Sequence, residues 1–120
     1  MVIWALTATS RLSGAVRGAL QDPANDVRVS AVACWEMAIK QSLGKLALPG
    51  LCETWLPEAI RNTGFSTLHI SVEDVLRVRA LPYHHRDPFD RLLIAQAAAG
   101  WTIVTHDAVF DAYGVSLLKT

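Results

Sequence analysis

From Val27 onward, short strand-like runs and longer helical runs take turns, and each change of pattern falls at glycine, proline, serine or aspartate. Strands that alternate with helices in this way fold as a mainly parallel sheet covered on both faces, because a parallel connection has to cross over. Val27–Ser30, Phe65–Ile70, Trp101–Thr105 and Val115–Leu118 are the strand candidates. Between them lie helical stretches over Ala31–Leu43, closed by Gly44, over Thr54–Asn62, over Val72–Ala80, capped by Ser71, and from Asp87 to Ala99, closed by Gly100. A small-residue helix over Ser13–Leu20 takes Ser13 as its cap, and Asp22–Asp26 is a turn. Ala108–Tyr113 reads as one or two helical turns, and the apolar Val2–Thr7 as helical. In such sheets ligands gather at the carboxyl ends of the strands, so that edge is where chemistry is to be sought.

With 120 residues the chain has room for one domain and one core. Its 52% hydrophobic and 18% charged content excludes a disordered chain. No apolar run approaches the ~20 residues of a membrane helix, and Met1–Leu6 lacks the basic flank of a signal peptide. Cys34 and Cys52 fit no paired-ligand spacing, which predicts reduced thiols in a cytoplasmic protein. Eleven acids balance eleven Lys and Arg, so a broad basic field is not the means of holding nucleic acid. An enzyme whose own bound cations meet the phosphates stays open.

Most acids have a structural explanation. Asp22 and Asp26 lie in a turn, Asp111 on a short exposed helix, and Glu53, Glu58, Glu73 and Asp74 near helix starts, where negative charge suits the helix dipole. Glu36 differs: it sits in Ala31-Val32-Ala33-Cys34-Trp35-Glu36-Met37-Ala38-Ile39-Lys40, apolar on nearly every side. A helix of that kind is expected to be buried, and a carboxylate there is costly unless paired. Lys40, four residues on, offers an ion pair. In Asp87-Pro88-Phe89-Asp90, Asp87 caps the helix with Pro88 at its first position, and Asp90 reads equally as part of the cap and as a site residue. Asp107 directly follows a strand and divides in the same way between cap and site. Three carboxylates at one sheet edge would repel one another without a cation. Mg²⁺ or Mn²⁺ prefers such oxygen ligands, and the chemistry that follows is attack of an activated water on a phosphodiester.

The stretches Val29–Lys40 with Leu43-Gly44-Lys45-Leu46, then His85-Arg86-Asp87-Pro88-Phe89-Asp90-Arg91-Leu92-Leu93-Ile94-Ala95-Gln96-Ala97, then Val104-Thr105-His106-Asp107 resemble the VapC-type PIN domains in order and spacing. The resemblance implies a three-layer α/β/α fold over residues 1–120. It further implies an endoribonuclease toxin that uses Mg²⁺ or Mn²⁺, forms a homodimer and is neutralised by a small antitoxin. It gives Glu36, Asp90 and Asp107 the catalytic and metal-holding roles and puts the Thr105 hydroxyl beside the site. Asp87 remains a cap in this reading.

Such proteins begin with an apolar strand that ends in Asp-Thr-His and lies at the sheet's centre. Met1 falls inside that pattern, so the first central strand and its aspartate are expected to be missing from this sequence, through a misplaced start. The alternative function is a catalytically silent module that only binds an antitoxin; a phosphoacceptor domain ranks third. Arg86, with His84, His85, Arg77 and Arg79, forms either a basic rim for RNA or an ordinary polar loop and solvated helix face. His69 and His106 lack zinc spacing. Trp4, Trp35, Trp55 and Trp101 read as core or interface residues before base-stacking ones.

Overall fold

The expected parallel sheet forms, in a computed structural model that describes residues 2–3, 14–105 and 107–119. Its strands are β1 (Val2–Ile3), β2 (Val27–Ser30), β3 (Ser66–Leu68), β4 (Thr102–Thr105) and β5 (Leu117–Lys119). They lie in the order β3-β2-β1-β4-β5, and every pairing is parallel. The helices are α1 (Gly14–Gln21), α2 (Ala31–Ser42), α3 (Cys52–Thr63), α4 (Val72–Arg77) and α5 (Pro88–Ala98). Val78–Ala80 extends α4 as a 3-10 turn, and a 3-10 helix over Ala108–Tyr113 joins β4 to β5.

Two neighbouring residues of β4 show how the layers arise. Successive strand residues face opposite sides of a sheet. Ile103 packs with Ile94 and Ala97 of α5 and with Phe110, whereas Val104 packs with Val16 of α1 and Val27 of β2. The sheet is therefore covered by α1 on one face and α5 on the other, giving three layers, α/β/α.

The missing central strand is a correction. Val2–Ile3 occupies the centre, pairing with Val27 and Arg28 of β2 on one side and with Thr102 and Ile103 of β4 on the other. The flanking strands carry backbone groups that need partners once buried, and two apolar residues supply them. A short apolar run has no distinguishing period, which is why Val2–Ile3 read as helical. The rest of that reading, Trp4–Thr7, and the proposed cap Ser13 lie outside the described residues. The strand carries no acid, and the first acid of the sequence is Asp22.

Local signals place the other ends well. Ser30 caps α2 by accepting from the Val32 N–H, and Ser71 and Asp74 form a reciprocal capping box on α4. Gly44, at φ +70°, turns the chain away after α2. A second correction concerns α2, expected to be buried all round: Val32 alone is fully buried, and Trp35 is 48% exposed. Neighbours cover one side of the helix, and its outer side borders an open groove with α3.

A buried polar chain ties these layers together. Gln96 of α5 is 1% exposed. Its Oε1 accepts from the Ser30 hydroxyl at 2.6 Å, and its Nε2 donates to the His69 carbonyl at 3.2 Å and to Asp74 Oδ2 at 3.4 Å. Asp74 in turn receives Arg77 Nη1, which also donates to the Ala95 carbonyl. Leaving a buried polar group without its partner costs about 1–3 kcal/mol. Gln96→Leu keeps the bulk but strips the Ser30 hydroxyl of its acceptor. It is expected to lower stability by about 1–3 kcal/mol, read as a lower urea midpoint with an unchanged denaturant slope.

Candidate functional site

The site is built around the entry to α5. Arg91, one turn into that helix, is 3% exposed. Its guanidinium donates to the carbonyls of Pro82 (2.8 Å), Val78 (3.1 Å) and Leu81 (3.2 Å), with longer contacts of 3.4 Å to the His85 carbonyl and the Tyr113 hydroxyl. The Tyr83 ring lies 4.1 Å from its central carbon. Among the described residues no carboxylate pairs with it, so carbonyl dipoles and a ring face balance the charge. The fork of N–H groups fixes the loop that leads into the helix.

At the helix start Asp87 Oδ1 accepts from the Phe89 and Asp90 N–H groups, the cap read from the sequence. Asp90 is thereby relieved of capping. Its Oδ2 instead meets His85 Nε2 at 2.7 Å. Ligand atoms of His85, Asp87 and Asp90 all lie within 4.8 Å of one another. Burial pushes the Asp90 carboxyl up from its ordinary 3.8; the His85 hydrogen bond opposes this, and the charges of Asp87 and Asp107 add to it.

Glu36 reaches the same neighbourhood from α2. Its ion pair with Lys40 forms, at 3.8 Å. Burial nonetheless raises the Glu36 carboxyl above its ordinary 4.5, with Lys40 opposing and Asp90 and Asp87 adding to the rise. The residues beside the two acids explain how the helices meet. Trp35 and Phe89 pack edge to face, with centroids 4.6 Å apart, joining α2 to α5 next to Glu36 and Asp90.

Asp107 follows β4, is exposed and caps the next 3-10 helix through the Val109 N–H, so here the cap reading holds. Its own N–H donates to the Thr105 hydroxyl at 3.0 Å, and its charge is felt at Asp90. Of the acids singled out from the sequence, Asp90 is linked by charge to Glu36 and to Asp107, and the ligand atoms that lie together are those of Asp90, His85 and Asp87. Arg86 is exposed and makes no ion pair among the described residues. His106 lies outside the described residues.

His85 is the residue that sequence reasoning undervalued, since it was read only as part of a basic rim. The spacing His85-x-Asp87-x-x-Asp90 was the available signal: it sets three donors around one helix start. Asp87, assigned to the cap alone, both caps and stands within that cluster.

The PIN domain family profile matches residues 1–115. The chain is similar to Ribonuclease VapC16 of Mycobacterium tuberculosis, with 37% identity over 54 residues. That stretch covers 45% of this chain and 38% of the relative, well under half of its length.

The raised carboxyls carry a pH signature. Below the ordinary value of 4.5 for Glu36, folded and unfolded states are both protonated and burial costs nothing. As pH climbs through 4.5 toward the raised folded value, the unfolded state releases its proton first and stability is lost; above the folded value the loss is complete. The Lys40 pair that Glu36→Gln also removes is worth only about 0.3–0.5 kcal/mol, and the upward direction means burial outweighs it. In divalent-free buffer Glu36→Gln is therefore expected to raise Tm at neutral pH, an advantage that fades below pH 4.5 in paired thermal melts.

Proposed function

This chain belongs to the PIN-domain family, and on that premise we propose that it is a metal-dependent endoribonuclease of the VapC toxin type. The observation that carries this reading is that Asp90 bears on Glu36, and Asp107 on Asp90, at one end of a parallel sheet. Neighbouring acids make Glu36 and Asp90 less ready to ionise, a strain that a divalent cation relieves. The donors suit the group: carboxylate oxygens are what Mg²⁺ and Mn²⁺ prefer, and ligand atoms of His85, Asp87 and Asp90 stand within 4.8 Å of each other.

In this reading Glu36, Asp90 and Asp107 hold the ion. When bound, it supplies neutralising charge and a water activated for in-line attack on a phosphodiester. The protein's own contribution is placement. Asp87 keeps the α5 entry rigid, the Thr105 hydroxyl accepts from the Asp107 N–H and so is held beside the site, and exposed Arg86 meets an RNA phosphate. The neutral overall charge fits an enzyme that relies on its cation for that contact.

The whole chain serves as one PIN domain, in the cytoplasm, as a homodimer restrained by a small antitoxin. Two observations support the setting. Both cysteines are free, and among the described residues no helix is long and apolar enough to cross a membrane. An open apolar groove of about 800 Å³, lined by Ala31, Cys34, Trp35, Leu51, Leu56 and Ile60 among others, supports a protein partner, since exposed apolar surface of this kind marks interaction sites.

One observation favours a second reading, the silent antitoxin-binding module: β1, at the sheet's centre, carries no acid. Cleavage of a structured RNA with Mn²⁺, with EDTA and with Asp90→Asn separates the two. The enzyme reading expects Mn²⁺-dependent cuts, abolished by EDTA and reduced by Asp90→Asn beyond the ~100-fold typical of losing a metal ligand's outer partner. Mn²⁺ binding without cleavage favours the silent module, and cleavage indifferent to EDTA sinks the metal mechanism.

A further inference from the structure

We propose that His85 is the positioning residue for Asp90, holding one of its carboxylate oxygens so that the other is presented to the cation. The inference rests on the metal-site reading above. Asp87 already satisfies the N–H groups of Phe89 and Asp90, so the Asp90 carboxylate has no capping duty. Its Oδ2 is taken by His85 Nε2 at 2.7 Å, while its Oδ1 has no hydrogen-bond partner among the described residues.

The imidazole is itself held in place. The His85 N–H donates to the Tyr113 hydroxyl at 2.9 Å, and its carbonyl receives 3.4 Å contacts from Arg91 Nη1 and the Tyr113 hydroxyl. Tyr113 belongs to the 3-10 helix after β4, and the His84 ring packs edge to face against it at 5.2 Å. Side chains from two other elements thus pin both backbone groups of a loop residue, which removes the backbone share of the entropy otherwise lost in aiming its ring. A carboxylate held through one oxygen binds through the other alone. That mode suits Mg²⁺ and Mn²⁺, with their demand for near-octahedral geometry, better than Ca²⁺, which has more ligand positions to fill and takes carboxylates through one oxygen or both.

The test is Mn²⁺ affinity of the whole chain, measured by electron paramagnetic resonance of the free ion, for the native protein and His85→Ala, His85→Asn, His85→Gln and Glu36→Gln. Gln carries its amide N–H as far from the backbone as imidazole Nε2, and Asn does not. The expected result is a 10- to 100-fold loss for Ala and Asn, on the order seen when a metal ligand loses its outer partner, with most of it recovered in Gln. The Ala variant should also lose discrimination between Mn²⁺ and Ca²⁺, a ratio that general loosening of the fold leaves unmoved. Native-like affinity in all three His85 variants, while Glu36→Gln still weakens binding, overturns the inference alone. Equal weakness in all three overturns it too, and nitrogen hyperfine coupling to Mn²⁺ in the native chain would then mark His85 as a direct ligand. A folded native chain that takes up no Mn²⁺ overturns the metal-site reading and this inference with it.

Discussion

A positive charge buried with no carboxylate partner among the described residues organises this molecule. An unpaired guanidinium in the interior is costly, and Arg91 is tolerated because the backbone from Val78 to His85 wraps around it and turns its carbonyls inward. The dependence runs both ways. The Leu81 and Pro82 carbonyls lie in an irregular loop, so they have no ladder of their own and would need water if the guanidinium were absent. Because Arg91 also stands in the first turn of α5, the loop's shape and the helix's starting point are decided together, and the acids of that first turn inherit their positions from the same contact.

Much of the fold was legible because local chemistry agreed with the global arrangement. The caps at Ser30, Ser71 and Asp87 and the turn at Gly44 are short-range devices, each readable from a few residues. What failed to show was what only the assembled layers decide. Val2–Ile3 carries no period, and its place in the sheet is dictated by β2 and β4, far along the chain. The apolar circumference of α2 suggested complete burial, yet apolar character cannot tell a core from an uncovered groove.

The site was legible to the same degree. Glu36 stood out because a lone carboxylate among apolar neighbours lacks a structural reason. Asp87 read as the cap from the sequence, and the structure decided that the Asp90 carboxylate takes no part in it. The family resemblance joined the acids in one group before any geometry was known, but it drew attention to residues that repeat a pattern. The spacing to Asp90 hinted at His85, but the tyrosine that fixes its backbone stands twenty-eight residues away, and no spacing rule announces that contact.

The short central strand also acts as a ruler. Glu36 enters after β2 and Asp107 after β4, and β1 lies between those strands. Two strand spacings separate the points where the chain leaves the sheet, roughly 9–10 Å. Two acidic side chains that lean toward each other can close such a gap around a single small ion. Asp90 comes from a helix terminus, free of the strand lattice; its charge is felt at Glu36, and the charge of Asp107 is felt at Asp90. The width of one strand thus fixes the aperture of the mouth, and the helix that crosses behind the sheet fixes how far it is filled.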